Sequence, residues 1–257
     1  MEKCRICNSE SNFIFEGLLI ENKVNYFECQ NCGFVQTEEP YWLDKAYANP
    51  INVSDTGILK RCVENKKIIL TLLMILGLKD STVVDYAGGY GVLVRMLRDI
   101  GVDAYWADKY SPNLISKGFE YDEDKHDCNF LTAFEVFEHL VYPCKDIEKM
   151  FDIAPIILFS TELIDDKTPR LKDWWYYGTE HGQHIGFFKK KTLTYLATKY
   201  KKNFVSNGIN YHIFYNEKKD LKILKFFKYI IKLKRFSLFF SPIFFKSKTI
   251  EDHNHLS

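Results

Sequence analysis

Residues 81–91 read STVVDYAGGYG, and this stretch decides the fold. Its first half is a β-branched run ending in Asp85; its second half is a glycine-rich turn. Val92, Leu93, Met96, Leu97 and Ile100 then recur at helical spacing until Gly101 closes them. Strand, loop and helix follow one another, and the glycines of the loop let main chain approach a ligand closely. Working outward, DAYWAD at 103–108 reads as a second strand ending in an acid, CNFLTAF at 128–134 as a third and PIILFS at 155–160 as another. A helix is expected from about Val136 to Phe151, interrupted near Pro143, and another from Lys189 to Tyr200, before the strand-like pieces NFVSNGI and YHIFYN. Strands alternating with helices predict an α/β fold with a largely parallel sheet, helices on both faces and a ligand beyond the carboxyl ends of the strands.

Upstream, apolar residues from about Ser54 to Leu76 (Ile58, Leu59, Cys62, Ile69, Leu72, Leu73, Leu76) predict a connecting or lid helix stopped by Gly77. Residues 36–53 read as irregular, punctuated by Pro40 and Pro50. Before them stand CRIC and CQNC, which place Cys4, Cys7, Cys29 and Cys32 in two Cys-x-x-Cys knuckles separated by 21 residues, with Gly33 relieving the second turn. Tight turns that each present two sulfurs suit tetrahedral Zn²⁺, and four thiolates leave no open position for water, so the ion expected is structural. Cys62, Cys128 and Cys144 show no such spacing. The division expected is a Cys4 unit at 1–35, linker and lid helix at 36–80, a cofactor-binding domain at 81–217 and a basic tail at 218–257.

With 257 residues, 46% of them hydrophobic, the chain can bury one full-sized core. Its 35 Lys and Arg against 34 Asp and Glu leave a net charge of +1, which gives no reason to expect nucleic acid as a partner. The charge is uneven, since Lys218 to Arg235 carries eight basic residues and one Asp. The tail alternates Lys with apolar pairs at helical steps. One face is basic and the other is Leu, Ile and Phe, a pattern that suits an anionic membrane surface and equally suits docking on its own domain or on a second subunit. No charge-free apolar run of spanning length and no presequence is seen, so a cytoplasmic location is expected.

As a dinucleotide fingerprint the turn fails, because the third glycine would fall at Val94. VVDYAGGYG instead resembles the first motif of the class I S-adenosylmethionine (SAM) methyltransferases: Asp85, Gly89 and Gly91 match, and Ala87 replaces the first glycine. Asp108, 17 residues past Gly91, stands where that family's acid binds the ribose hydroxyls, and FEVFEHL (Phe134–Leu140) resembles the motif after the fourth strand. The resemblance implies a Rossmann-like seven-stranded sheet and SAM held by Asp85, Tyr86, Ala87, Gly88, Gly89, Gly91, Asp108, Lys109, Phe134 and Glu135. Taken singly, Asp85 also reads as a helix N-cap acid and Asp108 as a turn residue, Glu138 as a solvated helix charge and His139 as an architectural hydrogen-bonder.

Beyond the PIILFS strand lies WWYYGTEHGQHIGFF at 174–188. Glu180-His181-Gly-Gln-His184 before Phe187-Phe188 resembles the glutamate-histidine motif of zinc-containing sugar C-methyltransferases of bacterial nucleotide-sugar pathways. To about residue 216 the chain is similar to methyltransferases of bacterial surface-polysaccharide clusters. That likeness implies a small-molecule acceptor, His181 as general base, and Glu180 orienting it or sharing the proton, with His184 beside them. The C-methyltransferases carry a sizeable further carboxy-terminal domain that this sequence stops short of, so O-methylation of a sugar or other small capsule precursor is expected. The alternatives are a phosphate- or phosphoramidate-type acceptor, sugar C-methylation, and a non-catalytic adaptor acting through the zinc unit and basic tail. The residues alone leave Glu180, His181 and His184 open as metal ligands or substrate hydrogen-bonders, and Trp174, Trp175, Tyr176 and Tyr177 as a stacking wall or a core anchor.

Overall fold

The computed structural model describes residues 2–48, 55–165, 167–216 and 219–257. It is an α/β protein with mixed sheets. Twelve strands are described: β1 (Glu2–Lys3), β2 (Glu10–Leu19), β3 (Asn22–Cys29), β4 (Val35–Thr37), β5 (Thr82–Tyr86), β6 (Asp103–Ala107), β7 (Cys128–Phe134), β8 (Ile156–Ser160), β9 (Leu163–Ile164), β10 (Gly186–Lys189), β11 (Asn203–Ser206) and β12 (Tyr211–Tyr215). Each of the two sheets holds six of them, where seven in one sheet were expected. The chain forms two compact units, the first of Met1–Asn52, Glu135–Phe151 and Phe159–Tyr215, the second of Val53–Phe134, Asp152–Leu158 and Asn216–Ser257.

In the first unit one sheet runs in the order β1-β2-β3-β4-β10-β9. The hairpin β2–β3 fills the interval between the cysteine knuckles, its register running from Ser11↔Cys29 to Leu19↔Asn22 with an irregularity between Phe13 and Phe15. Its inward side chains Leu19, Val24 and Tyr26 join Val35, Trp42, Ile164, Tyr176, Tyr177, Ile185 and Phe187 in one apolar core. Each large side chain fully buried there contributes roughly 1.5–3 kcal/mol. The end of the aromatic stretch is therefore strand, not loop: β10 pairs antiparallel with β4 (Phe187↔Val35) and parallel with β9 (Phe188↔Leu163). Trp174 packs against this core and Tyr176 and Tyr177 belong to it, which makes them anchors, whereas Trp175 is 76% exposed. β11 and β12 pair antiparallel, against the largely parallel expectation. The helix expected from Val136 begins only at Pro143, whose fixed φ and missing N–H suit a first helical turn. Phe137–His139 before it is a single 3-10 turn.

In the second unit β5 lies between β6 and β7 and pairs parallel with both, which sets Asp85 beside Trp106 on one side and Thr132 on the other. Val83 and Val84 are completely buried, as a central strand requires. The amphipathic helix is Ile58–Ile75, and Ser54, where it was expected to start, lies outside the described residues. The tail is helical over Phe227–Ile230, Ser237–Phe244 and Thr249–Leu256. It docks within this unit: Leu224, Phe227 and Ile230 are buried, and Lys234 pairs with Glu64 at 3.0 Å. Among the described residues no helix is long and apolar enough to cross a membrane.

Candidate functional site

The glycine turn of the second unit is built around Asp85. Asp85, the next-to-last residue of β5, is 4% exposed and accepts a hydrogen bond from the Thr132 hydroxyl of β7 at 2.7 Å. Burial pushes its carboxyl up to about 7; the Thr132 hydroxyl opposes that shift and Asp108 adds to it. A Cβ on Gly88 would lie 2.9 Å from Asp85 Oδ2, and one on Gly91, at φ +84°, 2.7 Å from Asn113 Oδ1. Only glycine lets the chain close here, and it leaves main chain bare beside the carboxylate. Ala87 sits at φ +55°, so the alanine holds a left-handed conformation that costs roughly 1–2 kcal/mol and that the family's glycine would adopt freely.

Asp108 is the hub of the adjoining loop. Its Oδ2 accepts the Gly89 N–H at 2.9 Å, and its Oδ1 accepts those of Tyr110 and Ser111 at 2.7 and 2.8 Å. Trp106 Nε1 donates to the Gly89 carbonyl at 2.8 Å. Asp108 therefore acts as a turn residue, fixing the glycine loop, whatever else it binds. Tyr86 and Phe134 are half-buried and Lys109 is exposed. Bare glycine main chain flanked by two acids fits an adenosyl cofactor with ribose hydroxyls and a cationic amino acid end.

The first unit holds two further clusters. Cys4, Cys7, Cys29 and Cys32 converge with their sulfurs all within 4.8 Å of one another. Cys4 and Cys32 Sγ lie 3.5 Å apart, and Cys7 and Cys29 Sγ 3.4 Å. Sulfurs about 2.3 Å from a tetrahedral ion stand nearly this far apart, so the thiols fit Zn²⁺.

The second cluster is one the sequence did not single out: Glu138, His139 and His184. Glu138, expected to be solvated, is 0% exposed. Burial, reinforced by Glu135, drives its carboxyl well above the usual range against the opposing influence of the nearby Tyr176 and Thr161 hydroxyls, neither of which closes a hydrogen bond to it. Burial lowers His139 to about 4 and His184 well below the ordinary histidine value, so both rings are neutral at pH 7. His184 Nδ1 lies 2.6 Å from the Tyr176 carbonyl, to which it donates, leaving the lone pair on Nε2. His139 Nδ1 lies 2.8 Å from the Tyr47 hydroxyl. His181 stands at the edge, its ring 4.8 Å from that of His184, and its Nδ1 accepts the Gln183 N–H at 3.1 Å. Glu180 is exposed and is not one of the three clustered residues. Glu135, at φ +54°, donates its N–H to Ser160 Oγ at 2.9 Å and accepts that hydroxyl at 2.5 Å. The signal for the cluster was Glu-His within FEVFEHL, but its third member lies 45 positions beyond His139, out of reach of any spacing argument.

A family model described as a methyltransferase domain matches residues 60–201. No curated protein matches the sequence. Among solved structures the chain is similar to the small RNA methyltransferase HEN1 (17% identity, 58% of this chain and 25% of that one, TM-score 0.35). It is similar also to TnmH (12% identity, 69% and 62%, TM-score 0.47). A third is 1,6-didemethyltoxoflavin-N1-methyltransferase of Burkholderia thailandensis (12% identity, 80% and 97%, TM-score 0.45). The chain spans a quarter of the length of the first of these.

Proposed function

Since the chain belongs to the methyltransferase-domain family and is a SAM-dependent methyltransferase, we propose that it methylates a hydroxyl oxygen of a small sugar-type acceptor, a precursor of bacterial surface polysaccharide. The observation that carries this reading is the buried Glu138-His139-His184 cluster, since a hydroxyl must shed its proton as its oxygen attacks. In the reaction an O–C bond forms, the sulfonium S–C bond breaks, S-adenosylhomocysteine leaves and one proton is released. SAM supplies the electrophilic methyl group. Asp85, Tyr86, Ala87, Gly88, Gly89, Gly91, Asp108, Lys109, Phe134 and Glu135 are assigned to cofactor binding. Glu138, His139 and His184 are assigned to taking up the proton, and His181 and Glu180 to the acceptor. Cys4, Cys7, Cys29 and Cys32 hold a structural Zn²⁺.

Calorimetry with S-adenosylhomocysteine, followed by turnover on nucleotide sugars, simple polyols and phosphate-type acceptors, tests this. His184→Ala is expected to lose 10²–10⁴-fold in kcat with cofactor affinity unchanged. Full turnover in that variant, or transfer only to nitrogen, carbon or phosphate-type acceptors, would overturn the reading.

The tail supports a second element of the proposal, peripheral binding to the inner face of the cytoplasmic membrane. Although docked, it leaves Phe226, Tyr229, Phe239 and Ile243 exposed, the last two at 77% and 74%, among Lys222, Lys225, Lys228 and Lys232. Apolar side chains enter an interface, and each nearby basic residue adds about 1 kcal/mol on anionic lipid. The protein is expected to co-sediment with phosphatidylglycerol vesicles and not with phosphatidylcholine alone. Equal sedimentation with both, or no effect of Phe239→Ser with Ile243→Ser, refutes it.

A further inference from the structure

We propose that Glu138, His139 and His184 form a divalent-cation site separate from the four thiolates. All its members belong to the first unit. One ligand atom from each residue lies within 4.8 Å of the other two, and Glu138 Oε1 stands 4.0 Å from His139 Nε2. Ligands about 2.1 Å from a tetrahedral ion stand about 3.4 Å apart, so the set closes by side-chain movements of up to roughly an ångström.

The second and independent observation is Glu138 itself. It is fully buried, and neither carboxylate oxygen has a hydrogen-bond partner among the described residues. A carboxyl left so is costly, and a cation beside it removes the cost. The imidazoles are prepared in the manner of metal ligands. His184 gives its Nδ1 proton to the Tyr176 carbonyl and keeps the Nε2 lone pair, and His139 is held at Nδ1 by the Tyr47 hydroxyl.

Two imidazoles and one carboxylate suit Zn²⁺, Mn²⁺, Co²⁺ or Fe²⁺ and leave coordination positions open. An acceptor hydroxyl taken up there would have its pKa lowered, which is how the cluster would release the proton. This role rests on the O-methylation reading; the existence of the site does not.

The test uses the full chain carrying one equivalent of Zn²⁺, which the thiolates take first, titrated with Mn²⁺ and followed by the loss of the free-ion electron paramagnetic resonance signal. One Mn²⁺ per chain is expected. Glu138→Gln and His184→Ala should weaken its binding at least 100-fold while the zinc stays, and Tyr47→Phe about 10-fold. Far-UV circular dichroism checks that the variants fold. A wild-type chain that takes up no Mn²⁺ overturns the site, as do folded Glu138→Gln and His184→Ala chains that bind as tightly as wild type. Mn²⁺ uptake by a chain that methylates no hydroxyl keeps the site and removes only the function proposed for it.

Discussion

Withdrawing zinc from Cys4, Cys7, Cys29 and Cys32 is expected to unfold the sheet around β1–β4, with a loss on the order of 10 kcal/mol. The four sulfurs stand together at the open end of the β2–β3 hairpin, Cys4 and Cys7 before β2 and Cys29 and Cys32 at the close of β3. Without an ion the cluster must distribute its protons. A hydrogen bond from Cys32 holds Cys4 down to about 5, against the pull of its own burial, while that same contact pushes Cys32 far up. One buried thiolate is then compensated by neutral hydrogen bonds alone, from the Cys32 and Cys29 thiols and the main-chain N–H groups of Ile6 and Cys7. The surrounding bonds depend on this arrangement: Arg5, inside the first knuckle, donates to the Glu38 carbonyl at 2.8 Å, and the Thr192 hydroxyl donates to the Cys32 carbonyl at 2.9 Å. Chelation with a coloured zinc indicator, monitored by circular dichroism and by amide exchange of β2 and β3, measures the loss. Release of zinc with exchange protection unchanged would show that the ion contributes nothing to the fold.

Asp252→Ala is expected to cost about 3–5 kcal/mol, the usual penalty for stripping the partner from a buried charge. Asp252 is 3% exposed and receives Arg98 Nη2 at 2.7 Å, Arg98 Nε at 2.9 Å and Arg95 Nη2 at 2.7 Å. The alanine would leave the Arg98 guanidinium buried over the Phe119 ring, 3.8 Å from its centroid. Burial alone raises the Asp252 carboxyl, but Arg98 and Arg95 outweigh it and the net shift is downward. A depressed carboxyl stabilises fully above its unfolded value near 3.8, and that contribution disappears as pH falls through the folded value. Urea unfolding at neutral pH and near pH 3 should therefore show a large difference between wild type and Asp252→Ala at the first and one smaller by up to about 1 kcal/mol at the second. Equal stability of the two proteins at pH 7 would mean that the final helix is not held by this pair.

The elements around the glycine turn were legible because each carries its own period. β5, β6, β7 and β8 fall within a residue or two of STVVDY, DAYWAD, CNFLTAF and PIILFS, since strands inside a parallel sheet are short and largely apolar. The hairpin β2–β3 was not legible: ESNFIFEGLL keeps one face wet, and its exposed Phe13 and Leu18 break the alternation that identifies a strand. β10 was missed for a different reason. GFF looks like the end of an aromatic loop, and only its pairing with β4 makes it a strand. At the site, the glycines and Asp85 followed from local chemistry, whereas Glu138 and Glu180, each a glutamate before a histidine, look alike in sequence. Burial separates them, and burial is a property of the fold.

β10 has one more consequence. His184 enters it through Ile185, whose N–H donates to the Glu138 carbonyl at 2.9 Å and whose carbonyl accepts the Thr37 N–H at 3.1 Å. Which way the histidine points is thus fixed by counting along a strand, where successive side chains alternate between faces. The segment is constrained in its length as well as in its side chains, of which Ile185 and Phe187 are fully buried. A single residue inserted between His184 and Gly186 would turn the imidazole away from Glu138 without altering any ligand, and a deletion there would do the same.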